Sequence, residues 1–395
     1  MRRDGASRGA AIGTRIRALA GRVRDRVRRA LPPFLIALAR LIRDRVRRAL
    51  TRLFVARSGS QGEGGGVLPS ERAYGERLAA ERQNFDACVE VHDLPPIFHY
   101  WSNRYLRPRL EAVGVSDPDA FFTKYVAECY GRGVERRRFV SIGAGNCDTE
   151  VRLARALINA GCNDFVIECL ELNERMLERG SQLAQADGLA DKVVPLQADF
   201  NEWQPVGRYD GIIAHQSLHH VVALERLFDA VGAALAPHGR FIVSDMIGRN
   251  GHQRWPEALV IVREFWRELP SAYRYHRQLK RQEDEFLDWD CSTEGFEGIR
   301  AQDILPLLVD RFGFDMFLGF ANVIDPFIDR GFGPNFSADS PSDKEFIDRV
   351  HERDQAEIAA GSIKPTHMFA VMRRGADPNG IGATAAARAA IRWPD

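Results

Sequence analysis

A strand-like run that ends on two closely spaced glycines constrains the fold of this chain most. Residues 139–148 are Phe-Val-Ser-Ile-Gly-Ala-Gly-Asn-Cys-Asp, and an amphipathic helical pattern follows over 151–158. The β-branched and aromatic start favours a buried strand. A parallel strand, a glycine turn and a helix together present backbone N–H groups to a ligand. The sequence therefore predicts a ligand-binding α/β domain.

The rest of the chain body alternates strand-like and helical patterns. Further strands are predicted at 165–170, 193–197, 211–214, 241–244, 314–320 and 367–372. Asn173 is placed to cap the helix that follows the second strand. This alternation is typical of a doubly wound sheet with helices on both faces.

Composition divides the chain into four parts. Residues 1–57 contain 17 Arg, no Lys and 3 Asp, a net charge of +14 in a chain whose total is +1. We predict an Arg-rich amphipathic arm with a Gly-rich linker over 1–66 and a helical cap over 67–136. The sheet domain is predicted over 137–374, with an insertion after strand five at 247–300, and a flexible tail over 375–395.

The Arg-rich arm contains an internal repeat within residues 14–54. Arg-Asp-Arg-Val-Arg-Arg-Ala-Leu occurs at 24–31 and again at 43–50, each copy with apolar residues at helical spacing. Two such helices would contact an anionic membrane surface or nucleic acid. The alternative is an extension without a binding role.

The expected location is the cytoplasm, with membrane association through the arm as a further hypothesis. No apolar run reaches the ~18 residues of a membrane-spanning helix. The six cysteines are scattered and form no C-x-x-C pair, which suits a reducing compartment.

Three acidic residues narrow the choice of ligand at the glycine turn. Two glycines alone are shared by nicotinamide, flavin and sulfonium cofactors. Asp148 stands where the dinucleotide fingerprint has a third glycine, and Glu171 follows Gly145 by 26 residues instead of about 20. Asp199, followed by Phe200, is suited to accept a hydrogen bond from the adenine amine. Adenosine with an amino-acid tail is the favoured ligand.

From about 137 to 373 the chain resembles a class I S-adenosylmethionine-dependent methyltransferase. The resemblance rests on the order and spacing of five segments, namely 140–145, Glu171, 198–200, 209–213 with 217–220, and 241–245. It implies a Rossmann-like sheet of seven strands whose last strand is antiparallel, and S-adenosyl-L-methionine as the cofactor. The expected cofactor contacts are Gly143, Ala144, Gly145, Glu171, Leu172, Asp199, Phe200, His215 and Gln216.

Two positions depart from the family pattern. Ser141 stands where the family usually has an acidic residue, and Cys147 where it often has a small one. We expect Ser141 to hydrogen-bond the cofactor's ammonium group or a water without supplying charge, and cofactor binding to survive.

The side chains that handle the methyl acceptor are expected where strands four and five end. His219 and His220 follow strand four, Asp245 ends strand five, and His252 lies in the polar loop that follows. A base helps when the acceptor is a hydroxyl group, and histidine accepts protons near neutral pH. These four are the candidate catalytic residues, and structural capping is their alternative role. Because the His and Cys residues show no ligand spacing, no metal is predicted.

The sequence thus predicts an S-adenosylmethionine-dependent methyltransferase that acts on a small-molecule or saccharide acceptor, at oxygen, by in-line displacement. The saccharide hypothesis rests on the polar loop at 248–255 and on the aromatic, basic insertion. One alternative is an RNA methyltransferase anchored by the basic arm, and another is a non-catalytic binding scaffold.

Overall fold

The structure is a computed structural model that describes residues 74, 75, 77, 94–131, 137–293 and 295–393. The chain divides into two units, 1–67 and 68–395, and all described residues belong to the second. The predicted arm, its repeat and the linker lie outside the described residues. Within the described part, no helix is long and apolar enough to cross a membrane.

Seven strands of the described chain form one sheet. They are Arg137–Ile142 (β1), Phe165–Glu171 (β2), Val193–Gln197 (β3), Tyr209–His215 (β4), Leu235–Met246 (β5), Phe312–Phe320 (β6) and His367–Arg374 (β7). Their order is β3-β2-β1-β4-β5-β7-β6. The first five pair in parallel, whereas β7 pairs antiparallel with both β5 and β6. The predicted doubly wound sheet with an antiparallel last strand is confirmed.

Helices cover both faces of the sheet. They are Pro96–Trp101 (α1), Arg107–Glu111 (α2), Pro118–Tyr130 (α3), Asp148–Asn159 (α4), Glu174–Ala186 (α5), Leu224–Ala234 (α6), Pro256–Glu268 (α7), Ala301–Arg311 (α8), Asp325–Ile328 (α9), Pro341–Ala360 (α10) and Ala383–Ala390 (α11). As predicted, the Asn173 side chain caps α5 by accepting from the N–H groups of Arg175 and Met176.

The alternation of side chains along the strands produces two hydrophobic cores. Phe139 of β1 and Ile213 of β4 point into a core shared with α3, α4 and α7, whereas the adjacent Val140 and Ile212 point into a core with α6 and α8. Successive residues of a strand face opposite sides, so apolar runs of this kind belong to a sheet buried on both faces.

The expected flexible tail is wrong for residues 383–390, which form α11 against β6. Thr384 accepts a hydrogen bond from the Phe314 N–H at 3.0 Å, and Ala387 is fully buried. The Ala-rich composition suggested flexibility, but small side chains let this helix approach the strand closely. The sequence analysis also missed α9 and α10, which lie between β6 and β7.

Candidate active site

The glycine turn after β1 brings the ends of β1 and β4 together. Gly143 and Gly145 have φ values of 69° and 55°, in the left-handed region that favours glycine. A Cβ on Gly143 would lie 2.5 Å from the Ser217 Cβ, and the Ser217 hydroxyl donates to the Ile142 carbonyl at 2.7 Å. The half-buried Ala144 lies between the two glycines. Only a residue without a side chain fits at position 143.

Glu171 links the end of β2 to this turn. One carboxylate oxygen accepts from the Gly145 N–H at 3.0 Å, and the other accepts from the Leu172 and Asn173 N–H groups at 2.8 and 2.9 Å. A carboxylate has about four acceptor positions. Glu171 can therefore hold the turn and still accept a ribose hydroxyl, so its predicted role fits its position.

Asp199 accepts hydrogen bonds from two sources in the structure. The Tyr74 hydroxyl donates to it at 2.6 Å, and the Asn201 backbone and side chain donate at 2.8 and 3.0 Å. Burial and this carboxylate raise the pKa of Tyr74. The Tyr74 ring packs against Phe296, and Phe200 lies half-buried after Asp199. Sequence analysis missed Tyr74, whose hydroxyl donates to the carboxylate that is predicted to accept a hydrogen bond from adenine.

A carboxyl group from α4 lies beside Ser141 of β1. The Ser141 hydroxyl donates to Glu150 Oε1 at 2.6 Å, and both side chains are buried. Burial raises the pKa of Glu150 to about 7. Because the hydroxyl proton is donated to Glu150, the Ser141 oxygen could contact the cofactor only as an acceptor. Its predicted hydrogen bond with the ammonium group or a water stays a prediction.

His215 and Gln216, the expected contacts of the methionine tail, lie where β4 ends. The His215 ring packs against Phe122 of α3, with centroids 5.0 Å apart. Gln216 has a φ of 52°, and its N–H donates to the Ser244 carbonyl at 2.7 Å. A positive φ in a non-glycine residue often marks a functional site. Their contact with the cofactor remains a prediction.

Three of the four predicted catalytic residues converge on a carboxylate that the sequence analysis missed. His219 and His220 lie in the turn Leu218–His220 after β4, and His252 lies in the turn Asn250–His252 after β5. Their Nε2 atoms lie 3.4, 3.4 and 2.6 Å from oxygens of Glu297. We call His219, His220, His252 and Glu297 the histidine cluster.

Asp245, the fourth predicted catalytic residue, contacts the histidine cluster through His219. It is fully buried and accepts from the N–H groups of Ser217, Leu218 and Met246 at 2.7 to 2.9 Å. Its remaining partner is His219 Nδ1, at 2.7 Å. Protein groups thus surround this carboxylate. Asp245 positions His219, and the expectation that it meets an acceptor directly is corrected.

The charges of the cluster are strongly coupled. Burial alone would lower the pKa of His219, but the carboxylates of Asp245 and Glu297 raise it to about 10. Burial opposes the ionisation of Glu297, yet His219 and His220 hold its pKa far below the usual range. Burial lowers the pKa of His252. The imidazoles of one small site therefore differ in their affinity for protons.

Backbone hydrogen bonds fix the Glu297 loop to both histidine turns. The Gly251 N–H donates to the Gly298 carbonyl at 2.9 Å, and the Ile299 N–H donates to the His219 carbonyl at 3.1 Å. Gly295 and Gly298, on either side of Glu297, have φ values of 72° and 63°. A glutamate between two glycines in the insertion was the sequence signal that could have identified this residue.

A family model matches part of the chain. Residues 139–239 match the family model described as a methyltransferase domain. A search of curated proteins finds no match.

Several solved structures are similar to the chain. The 4+2 cyclase SpnF is 16% identical with a TM-score of 0.42, over 80% of this chain and 100% of that one. Geranyl diphosphate C-methyltransferase from Streptomyces coelicolor A3(2), in complex with Mg²⁺, geranyl diphosphate and S-adenosyl-L-homocysteine, is 13% identical with a TM-score of 0.41, over 75% and 98%. StiE O-MT, residues 942–1257, is 12% identical with a TM-score of 0.38, over 79% and 93%. Because these identities and TM-scores are low, the assignment of a methyltransferase domain rests on the strand order and the family model.

Proposed function

Since the chain contains a class I, S-adenosylmethionine-dependent methyltransferase domain, we propose that it transfers the methyl group to an oxygen atom of a small-molecule acceptor. The histidine cluster carries this proposal. It lies beyond the carboxyl ends of β4 and β5, at the edge of the sheet where α/β proteins bind their ligands. The glycine turn, where the cofactor is expected, lies at the same edge.

The cluster is suited to an acceptor that must lose a proton. In the proposed step, a lone pair of the acceptor oxygen attacks the methyl carbon as the carbon–sulfur bond breaks. The bond electrons go to sulfur, which leaves S-adenosyl-L-homocysteine, and the hydroxyl proton goes to an imidazole nitrogen of His220 or His252. Positioning and a general base supply most of what such a step requires. A neutral amine would need no base, so the cluster favours oxygen.

The structure of the insertion supports a saccharide acceptor less strongly than its amino-acid composition does. Trp266 is buried in the core against Phe286 and Phe332. The guanidinium groups of Arg249 and Arg392 lie over the ring of Trp255. Among the described tryptophans of the insertion, Trp289 is the most exposed, at 40%. We therefore propose hydroxylated small molecules in general, with saccharides as one class.

The test uses the full chain with methyl-labelled donor and a panel of phenols, aliphatic alcohols, saccharides, amines and RNA. We expect transfer to one hydroxylated class, with release of S-adenosyl-L-homocysteine. His220→Ala should lower the rate about 100-fold, whereas His238→Ala, an exposed histidine outside the site, should not. Transfer to amines or RNA alone would overturn the proposal. No binding of the donor in calorimetry would favour a scaffold.

RNA is the second candidate because the arm carries a net charge of +14. Deletion of residues 1–66 discriminates between the two. An RNA enzyme anchored by the arm should lose its activity, whereas a small-molecule enzyme should retain most of it.

A further inference from the structure

The histidine cluster has the donor atoms of a metal centre, in two sets of three that share Glu297. Ligand atoms of His219, His220 and Glu297 lie within 4.8 Å of one another, as do those of His252, Cys291 and Glu297. Around a tetrahedral ion with ligands at about 2.0–2.1 Å, neighbouring ligand atoms are about 3.3 Å apart. The Nε2 atom of His219 lies 3.4 Å from Glu297 Oε1, and that of His220 lies 3.4 Å from Glu297 Oε2. We propose that the three Nε2 atoms and the Glu297 carboxylate bind one divalent transition-metal ion.

Asp245 orients the first of these ligands. It accepts from His219 Nδ1 at 2.7 Å. When Nδ1 carries the proton of a neutral imidazole, the lone pair of Nε2 points towards Glu297. In the ion-free protein a proton on Nε2 pairs with Glu297, and a bound cation would take its place. A carboxylate on the far nitrogen of a ligating histidine is also the usual outer shell of zinc sites.

His252 is held against the Glu297 loop by its backbone and by packing. His252 has a φ of 53° and follows Gly251, which has a φ of 65°. Such strained backbone persists where the surrounding structure enforces it. A Cβ on Gly298 would lie 3.0 Å from the His252 ring, so the Glu297 loop packs directly on this histidine. The 2.6 Å contact between His252 Nε2 and Glu297 would have to lengthen by about 0.7 Å to admit a tetrahedral ion.

The donor set selects the class of ion. Three imidazoles and one carboxylate suit Zn²⁺, Fe²⁺, Mn²⁺ or Co²⁺. Mg²⁺ and Ca²⁺ prefer oxygen ligands and fit poorly here. Cys291, which donates to the Glu297 carbonyl at 3.7 Å, is a neighbouring thiol that a Zn²⁺ or Co²⁺ ion could also reach.

The role of the ion, though not its binding, rests on the proposed function. An ion and a proton exclude each other from the same imidazole nitrogen. With the ion bound, an open coordination position would take the acceptor oxygen, and the ion would acidify that hydroxyl in place of an imidazole base. The hydroxyl proton would then be released to solvent when the acceptor binds.

The test measures metal binding to the full chain, without a histidine tag and after treatment with a chelator. We expect calorimetry and elemental analysis to give one equivalent of Zn²⁺ with micromolar or tighter affinity, and no Mg²⁺ binding at that concentration. His252→Ala and Glu297→Gln should each weaken Zn²⁺ binding at least about tenfold, whereas His238→Ala should not. Circular dichroism verifies folding, and His252→Gln replaces His252→Ala if that variant unfolds.

Co²⁺ provides a second readout that reports on geometry. Four-coordinate Co²⁺ should give intense visible bands, and these should be lost in Glu297→Gln. A charge-transfer band that disappears in Cys291→Ser would add the thiolate to the ligands. Absence of stoichiometric Zn²⁺, or wild-type affinity in both cluster variants, would overturn the metal site.

The two proposals fail in different ways. Methyl transfer by a chelated enzyme that binds no Zn²⁺ would overturn the metal site and leave the proposed function. Stoichiometric Zn²⁺ without transfer to any hydroxylated acceptor would overturn the proposed function and leave the metal site.

Discussion

The two halves of the ligand-binding edge of the sheet use their carboxylates in different ways. Beside β1 to β3, Glu171 accepts from three backbone N–H groups no more than 26 positions away. Beside β4 and β5, Glu297 faces three imidazoles that come from turns 45 to 78 positions away. Backbone donors hold Glu171 in a rigid cradle at the glycine turn. Imidazole partners make a site that can exchange protons or metal ions.

The largest effect is expected for Asp245→Asn, which removes the carboxylate that holds His219 of the histidine cluster. The amide cannot accept on both sides, so buried donors among Ser217, Leu218, His219 and Met246 lose their partner. We expect a loss of about 3–5 kcal/mol in the free energy of unfolding and a fall of about 100-fold or more in methyl transfer. Urea denaturation and initial rates measure the two.

The control is Asp315→Asn, which removes an exposed carboxylate paired with Arg240 and Arg373. It should cost less than about 1 kcal/mol. Equal effects of the two substitutions would mean that Asp245 is an ordinary surface-type partner, and the contrast between the halves would not hold.

Gly143→Ala tests the rigid half. The new Cβ meets Ser217 in a backbone with a φ of 69°, which should cost about 2–4 kcal/mol of stability and weaken cofactor binding. Gly188 is a matched control, since it has the same φ of 69° and open space around it. Gly188→Ala should cost only about 1–2 kcal/mol and leave cofactor affinity unchanged. Calorimetry with S-adenosylmethionine would reveal equal affinities if close packing at residue 143 were unimportant.

Glu150→Gln tests whether the carboxyl group beneath the cradle titrates. Its folded-state pKa of about 7 exceeds the ordinary value of 4.5, so protonation favours the folded state. Its contribution is complete below pH 4.5 and is lost as the pH rises to 7. The wild type should therefore lose up to about 3 kcal/mol over this range relative to the variant.

Denaturation of both proteins at a series of pH values measures this difference. Glu352→Gln, on an exposed position of α10, should follow the wild-type profile. Parallel profiles for wild type and Glu150→Gln would show that the buried carboxyl does not titrate in this range.

The smallest effect is expected for Asp199→Ala at the adenine end of the cradle. Loss of the acceptor should weaken S-adenosylmethionine binding by about 1–2 kcal/mol. Asp191→Ala, an exposed carboxylate, serves as the control and should leave affinity unchanged. Unchanged affinity in Asp199→Ala would mean that Tyr74, and not adenine, is the partner of this carboxylate in the working enzyme.

The sheet and the cradle could be predicted from sequence because their determinants are local. Strand periodicity, the glycine pair and Asn173 each act within a few residues, and the family pattern fixed the order of the strands. The histidines were found because they follow predicted strands directly. Their convergence on Glu297 could not be predicted, since it depends on the path of a long insertion that no periodicity describes.

Composition was least informative where packing decides the structure. The aromatic composition of the insertion supported a saccharide acceptor, yet Trp266 lies in the core, because it belongs to the apolar face that α7 buries. The Ala-rich tail was expected to be flexible, yet its small side chains fit against β6. Tyr74 contacts Asp199 from 125 positions away, and no local pattern indicates such a contact.

The position of α11 has a consequence for how copies of this protein behave together. β6 is the last strand of the sheet, and Thr384 of α11 contacts both the N–H and the carbonyl of Phe314 on it. An uncovered outer strand is a template onto which a second chain can add its own strand. By covering part of β6, α11 limits the addition of a strand from another copy. We expect substitutions in α11 to lower solubility first and to leave the candidate active site, at the other end of the strands, unchanged.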